Sequence, residues 1–172
     1  MEHSIKLNLG SGGQPLAGYV NVDVNPQAPE VAVVHNLDIY PWPFPDNSAS
    51  EIVMNQCLEH VIDHNIAMKE IYRLLKPGGV AKISVPHFTW QFAFHDPTHK
   101  HFYGYNTFFY YARNCGYFDF KFSKCSVKIV FGKRLSLWNH LVEPFANLFP
   151  NVYEQSPLRM FPALTVDAVL EK

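Results

Sequence analysis

A glycine-rich turn and a carboxylate near the amino terminus carry the residue types that hold a nucleoside. The apolar run 5–9 leads into Gly10-Ser11-Gly12, and a second apolar run ends on Asp23. Glycines allow positive φ and close approach of the backbone to a ligand, while a carboxylate ending the next strand can accept hydrogen bonds from ribose hydroxyls. Two glycines in a surface turn more often indicate only a turn. The pattern predicts a nucleoside site only in combination with further motifs.

A second concentration of reactive side chains lies in His95-Asp96-Pro97-Thr98-His99-Lys100-His101. Imidazoles titrate near neutral pH, so His95 or His99 could contact a substrate and serve as a general base. The spacing could also place His95, His99 and His101 around a transition metal, and the same side chains could simply pack in a loop. Since Pro97 breaks helical presentation of the imidazoles, we favour the substrate role and expect no metal site.

The composition limits the classes of protein to which the chain can belong. With 172 residues and 48% hydrophobic content, we expect one domain spanning 1–172. A net charge of -1 gives no support for nucleic-acid binding. Three cysteines without a Cys-x-x-Cys pair argue against a disulfide framework or zinc ribbon and favour the reducing cytoplasm. No uncharged apolar run reaches membrane-spanning length, so we expect no membrane association.

The elements that must position these residues follow from periodicity and turn signals. The order is strand, strand, strand, strand, helix, strand, then strand, helix and strand, and it predicts an α/β open sheet. The predicted strands cover 5–9, 19–23, 31–34, 51–55, 80–85, 125–131 and 164–170, and the helices cover 63–75 and 135–148. After the glycine turn at 10–12, only residues 13–18 remain before the second strand, so the first crossover helix should be reduced or absent.

Five motifs occur in a fixed order along the first half of the chain. They are Leu7-Asn8-Leu9-Gly10-Ser11-Gly12, Asn21-Val22-Asp23, Leu37-Asp38, Glu59-His60-Val61 and Glu70-Ile71-Tyr72-Arg73-Leu74-Leu75-Lys76-Pro77-Gly78-Gly79. Together they resemble the class I S-adenosylmethionine-dependent methyltransferases, in particular the small-molecule branch called methyltransferase type 11. The resemblance implies a Rossmann-like, mostly parallel sheet with an antiparallel C-terminal strand. It further implies a cofactor-binding half over 5–86 and an acceptor-site, sheet-completing half over 87–172.

The resemblance also implies roles for individual residues in binding S-adenosylmethionine. The Gly10 to Gly12 backbone would lie against the methionine and ribose, Asp23 would bind the ribose hydroxyls, and Asp38 would meet the adenine amino group. The full set of implied cofactor residues is Leu9, Gly10, Ser11, Gly12, Asp23, Val24, Leu37, Asp38, Ile39, Asn55 and Gln56, with Asn55 and Gln56 at the methionyl end. No Gly-Lys-Ser/Thr follows the turn, which speaks against a nucleoside triphosphate site.

The implied reaction is methyl transfer to an oxygen or nitrogen of a small-molecule acceptor, with His95 and His99 as candidate catalytic groups. Two departures keep a non-catalytic binding or regulatory module as an alternative: Asn8 replaces the usual acid before the glycines, and the crossover helix is short. A metal-binding protein centred on His95, His99 and His101 is the other alternative. We interpret Glu59-His60 as structural, and the aromatic residues in 102–111 as core or homodimer interface.

Overall fold

In a computed structural model, which describes residues 4–113, 116–132 and 137–172, seven strands form one open sheet. The strands are β1 (Ile5–Leu9), β2 (Val20–Asp23), β3 (Val33–Val34), β4 (Ala49–Asn55), β5 (Leu75–Pro86), β6 (Lys124–Val130) and β7 (Thr165–Glu171). Their order across the sheet is β3-β2-β1-β4-β5-β7-β6. β7 runs antiparallel to both of its neighbours, and the pairs formed by β1 to β5 are parallel. The predicted fold class is confirmed.

The connection between β1 and β2 contains no helix, as the sequence predicts. Residues 10–19 return along the sheet as a loop, and buried amides hold that loop in place. The side chain of Asn8 donates to the carbonyl of Gln14 and to Oδ1 of Asn21 at 3.0 and 2.9 Å. Oδ1 of Asn21 also accepts from the N–H of Leu16 at 2.9 Å. The Asn8 amide therefore holds in place a short crossover loop, whereas parallel strands are usually connected by a longer segment that contains a helix.

Helix α1 (His64–Leu74) begins at the predicted cap, where the Asp63 carboxylate accepts from the N–H groups of Asn65 and Ile66. Its apolar side is buried against the sheet, through Ala67, Met68, Ile71 and Leu74. β5 follows directly at Leu75, so the strand begins five residues earlier than the predicted 80–85 segment. The reason is that Leu75 already pairs with Ala49 of β4, and the turn around Gly78 contacts the carboxyl terminus, where Gly78 N–H donates to the Lys172 carbonyl at 3.0 Å.

An ion pair on α1 holds the proline-rich segment 40–48. Glu70 accepts from the N–H of Trp42 at 2.8 Å and from Arg73, which also bonds Asp46 and the carbonyls of Trp42 and Phe44. The indole of Trp42 is 2% exposed, and its N–H donates to the carbonyl of Leu37. This network fixes the backbone just before and after Asp38, a predicted site residue.

The remaining elements are α2 (Phe92–His95), α3 (Asn139–Leu148), α4 (Pro150–Gln155) and three 3₁₀ turns, Leu58–His60, Thr107–Tyr111 and Pro157–Met160. Of the helix predicted over 135–148, positions 135 and 136 lie outside the described residues. α3 and α4 pack a second small core on β6, built from Ile129, Phe131, Ala146, Tyr153 and Ala163. Over the described ranges, no helix combines the length and apolar character needed to cross a membrane.

Candidate functional site

The carboxyl ends of β1, β2 and β4 open onto a cavity of about 450 Å³, here called the glycine-turn cavity. Ligands of open parallel sheets bind at this edge, where the strand order reverses beside β1. Its lining includes the predicted cofactor residues Gly10, Gly12, Asp23, Val24, Leu37, Asp38 and Gln56, together with His35, Asn36, Cys57, His60 and Val61. Motifs that are 46 residues apart in sequence, from Gly10 to Gln56, thus meet in one cavity.

The glycine turn requires glycine at its first position. Gly10 has φ +67°, and a Cβ built there would lie 2.1 Å from Sγ of Cys57. The N–H groups of Gly10 and Ser11 both donate to the carbonyl of Val22, at 2.8 and 3.0 Å. Burial and nearby carboxylates raise the pKa of the Cys57 thiol to about 12, so this side chain stays protonated and acts as a wall of the turn.

Both predicted nucleoside-binding carboxylates are held by backbone N–H groups. Asp23 accepts from Gly12 N–H at Oδ2 and from Asn25 N–H at Oδ1, each at 2.8 Å. Asp38 accepts from Ile62 N–H at 2.7 Å. Because each carboxylate oxygen carries two lone pairs, both groups keep acceptor capacity toward the cavity.

Of the apolar and histidine residues that line the cavity, some are predicted from the sequence and others are not. Leu37 and Val24 line it, whereas Leu9 is wholly buried in the core and Ile39 is 59% exposed outside the lining. His35 was missed, and its Nε2 lies 2.9 Å from the carbonyl of Ile39. Its position directly after β3 is the signal that could have identified it, because residues following parallel strands face this edge.

Asn55 and Ser11 line a second cavity of about 230 Å³, together with Gln14, and this cavity adjoins the glycine-turn cavity at Gly10, Gly12 and Gln56. The amide of Asn55 donates to Oε1 of Gln14 at 2.9 Å. Gln56 lies between the cavities: it has φ +48°, its N–H donates to the Ser84 carbonyl, and it contributes to all three cavities described here. A non-glycine residue with positive φ is uncommon and marks a position that the surrounding fold over-determines.

The third cavity, about 330 Å³ and here called the Glu59 cavity, lies beside the end of β5. Its lining consists of Gln56, Glu59, His60, Pro86, Trp90, Phe92, Asp96 and His99. It shares Gln56 and His60 with the glycine-turn cavity, so the two spaces adjoin at these residues. The lining includes the predicted His99, whereas His95 ends α2 with its ring 5.3 Å from that of Phe92 and is not part of the lining.

The three histidines of the 95–101 segment do not converge on one point. His101 lines a different cavity with His64, and its Nε2 lies 2.9 Å from the carbonyl of Val61. Over the described residues, the group that brings three potential metal ligands together is Glu59, His60 and His99. The alternative ligand set of His95, His99 and His101 is therefore not supported by the structure.

Glu59 is the feature of this region that sequence reasoning underestimated. Its side chain is 0% exposed, and neither carboxylate oxygen has a hydrogen-bond partner among the described residues. Burial raises the pKa of this carboxyl to about 7, and Asp96 contributes to the shift. Burial, followed by the charge of His99, lowers the pKa of His60. The signal in the sequence was a glutamate immediately after the buried Leu58 in the turn that follows β4.

Comparisons with known proteins identify a domain model that matches part of this chain and several solved structures that share its fold. A family model described as a methyltransferase domain matches residues 9–83. A structure of an S-adenosylmethionine-dependent methyltransferase from Archaeoglobus fulgidus is 14% identical, with a TM-score of 0.66 over 99% of this chain and 87% of that one. A second, from Thermotoga maritima, is 17% identical, with a TM-score of 0.64 over 100% of this chain and 83% of that one.

A third solved structure is phosphoethanolamine N-methyltransferase 2 from Haemonchus contortus, in complex with phosphomonomethylethanolamine and S-adenosylhomocysteine. It is 17% identical, with a TM-score of 0.63 over 99% of this chain and 49% of that one. A comparison with curated protein sequences gives no match. At these identities the solved structures establish a shared fold.

Proposed function

We propose that this chain is a class I S-adenosylmethionine-dependent methyltransferase of the type 11 branch and that it transfers a methyl group to an oxygen or nitrogen of a small-molecule acceptor. The methyltransferase-domain model that matches residues 9–83 and the fold shared with methyltransferase structures support this assignment. The observation that carries the proposal is that the glycine turn, Asp23 and Asp38 line one cavity of about 450 Å³. That volume lies within the range of small-molecule and cofactor sites. When bound, S-adenosylmethionine supplies an activated methyl group on a sulfonium.

The residues of the glycine-turn cavity fit the polar groups of this cofactor. In the proposal, Asp23 accepts from the ribose hydroxyls while Gly12 N–H holds its carboxylate in position. Asp38 accepts from the adenine amino group, and Leu37 and Val24 provide apolar contacts for the ring. The turn around Gly10, which has no room for a Cβ, allows the backbone to lie against the ligand.

The Glu59 cavity is the proposed acceptor site. Its junction with the glycine-turn cavity at Gln56 and His60 would allow an acceptor to approach the methyl group directly. Holding two reactants in line can account for several orders of magnitude in rate. The geometry gives His95 no contact with this cavity, so the proposal assigns proton acceptance, where the acceptor requires it, to His99.

We keep a small molecule as the proposed acceptor because the net charge of -1 gives no support for nucleic-acid binding. The cavity of about 330 Å³ is enclosed partly by Trp90 and Phe92, which suits an acceptor with an apolar portion. A cytoplasmic location, a single domain over 1–172 and a homodimer remain predictions from the sequence.

Titration with S-adenosylhomocysteine in a calorimeter tests the proposed cofactor site. Asp23→Ala should weaken binding at least tenfold, because the ribose loses its carboxylate partner. Asp119→Ala is the matched control: it removes a 69% exposed carboxylate that pairs with Lys69, and it should leave binding unchanged. Absence of binding by the parent protein, or equal affinity in both variants, would contradict the proposal. Binding without methyl transfer to any acceptor from a broad set would favour the non-catalytic alternative.

A further inference from the structure

We propose that Glu59, His60 and His99 form a binding site for one divalent first-row transition-metal ion. A carboxylate and two imidazoles are the donor set of mononuclear sites that keep open coordination positions. One potential ligand atom from each of the three residues lies within 4.8 Å of the others. Bonds of about 2.0–2.2 Å to a shared ion bring ligand atoms about 3 to 3.5 Å apart. Small rotations of the three side chains would close that difference.

The first independent observation is the state of the Glu59 carboxylate. Both oxygens are buried and have no hydrogen-bond partner within the described ranges. Buried charges in native proteins are paired or coordinate metals, because an isolated buried carboxylate is costly. A divalent cation bound between Glu59 and the two imidazoles would provide the missing partner.

The second observation is that both imidazoles have their Nδ1 atoms engaged by acceptors. Nδ1 of His99 lies 3.0 Å from the carbonyl of Ala93, which can only accept, so Nδ1 carries the hydrogen. Nδ1 of His60 lies 2.9 Å from Oγ1 of Thr98, and that hydroxyl donates its own hydrogen to Asp96 at 2.6 Å. His60 Nδ1 must therefore also be the donor. In each ring Nε2 keeps its lone pair, which is the protonation state of a metal ligand with an outer hydrogen-bond partner.

The backbone around the three residues is held on both sides. Lys100 N–H donates to the carbonyl of Glu59 at 2.8 Å, and its side-chain ammonium donates to the carbonyl of His60. The hydroxyl of Tyr103 donates to the carbonyl of Leu58 at 3.0 Å. The segment that carries His99 is thus joined to the turn that carries Glu59 and His60, as a site with fixed ligand geometry requires.

The metal site lies where it could bind the methyl acceptor, and this role rests on the proposed methyl transfer. Its three ligands lie in the wall of the Glu59 cavity, so open coordination positions would face the space proposed for the acceptor. The acceptor class that this arrangement recognises is a small molecule with an oxygen donor, such as a hydroxyl or carboxylate group. In the metal-loaded protein His99 Nε2 is a ligand, so proton acceptance by His99 belongs only to the metal-free alternative.

Metal binding is tested on the full chain after tag removal and chelator treatment. Zn²⁺, Mn²⁺ and Co²⁺ are titrated separately by calorimetry, and the Co²⁺ form is followed by its visible absorption. We expect one ion per chain for at least one metal, and loss of more than tenfold in affinity for Glu59→Gln, His60→Ala and His99→Ala. His95→Ala is the matched control, because His95 lies four residues from His99 but outside the cavity, and it should bind as the parent does.

The outcomes separate this proposal from the proposed function. If the parent binds none of the three metals, or if Glu59→Gln binds as tightly as the parent, the metal site is wrong. Equal losses for His95→Ala and His99→Ala would also overturn it. Circular dichroism verifies folding, and His99→Gln and His60→Asn replace any alanine variant that fails to fold. S-adenosylhomocysteine binding measured on the same samples tests the cofactor site independently, since the expected ligands of the nucleoside are Asp23 and Asp38.

Discussion

In the glycine-turn cavity the carboxylates of Asp23 and Asp38 accept hydrogen bonds from backbone N–H groups, whereas in the Glu59 cavity the carboxylate of Glu59 accepts none among the described residues. The carboxylates of the first cavity are already held in position by backbone N–H groups before a ligand binds. The second contains a buried acid for which the described residues provide no hydrogen-bond partner. Under the proposed roles, the backbone pre-organises the cofactor site, whereas the acceptor site is organised around the proposed metal ion.

Among substitutions in the glycine-turn cavity, Gly10→Ala should cause the largest loss of stability. An alanine there would hold a left-handed conformation, with its Cβ 2.1 Å from Sγ of Cys57. The combined strain and overlap should lower the free energy of unfolding by about 3 kcal/mol, measured by urea denaturation. Gly13→Ala is the control, because a Cβ at Gly13 would meet no heavy atom within 4 Å other than those of its chain neighbours. Similar losses in both variants would show that the turn tolerates side chains.

The region next to the Glu59 cavity should respond to pH through His64. Its Nε2 is buried without a partner among the described residues, Nδ1 lies 3.1 Å from the Tyr103 hydroxyl, and burial lowers the pKa to about 4. The folded protein keeps this imidazole neutral, while the unfolded chain binds a proton below its usual value of about 6.5. Stability is therefore lost as pH falls from about 6.5 to about 4, by up to about 1.4 kcal/mol per pH unit.

Denaturation of the parent and of His64→Gln at several pH values measures this contribution. The nearby charged and titratable groups, Asp63, His101, Tyr103 and Tyr111, are unchanged in the variant. The difference in stability between the two proteins should shrink as pH falls through this window. A constant difference would mean that His64 takes up its proton equally well in the folded protein.

Two substitutions with opposite effects on the free energy of unfolding should test the difference between the two cavities. In metal-free protein, Glu59→Met removes an unpaired buried carboxylate and should raise the free energy of unfolding by about 1 to 2 kcal/mol. Asp23→Ala removes the acceptor for Gly12 and Asn25 N–H groups and should lower it by about 1 kcal/mol. Urea denaturation in the presence of a chelator provides both values. Destabilisation by Glu59→Met would mean that the carboxylate is satisfied in solution.

The contrast also explains what could be predicted from the sequence. The strands, the α1 cap at Asp63 and the missing first helix follow from local patterns, and the glycine turn and Asp23 lie at the ends of those strands. The Glu59 cavity depends on a contact between residues 57–61 and 98–103, which no local periodicity encodes. The sequence predicts only a structural role for Glu59, because its burial is a tertiary property. The histidine spacing predicts a convergence of His95, His99 and His101 that the chain path through Pro97 does not produce.

Asp38 lines the glycine-turn cavity and contacts the segment that follows His60. Its substitution should have the smallest effect on stability, and that effect can be separated from the effect on ligand binding. Its Oδ1 accepts from Ile62 N–H at 2.7 Å, two residues after His60. Asp38→Ala removes this bond and should lower the free energy of unfolding by about 1 kcal/mol, whereas Asp38→Asn keeps an acceptor oxygen and should lower it by less than about 0.5 kcal/mol.

Both variants should weaken S-adenosylhomocysteine binding, since neither offers a carboxylate to the adenine amino group. Metal binding by Asp38→Asn should match that of the parent, because Glu59, His60 and His99 keep their positions. Loss of metal affinity in Asp38→Asn would show that the two cavities are coupled through this residue.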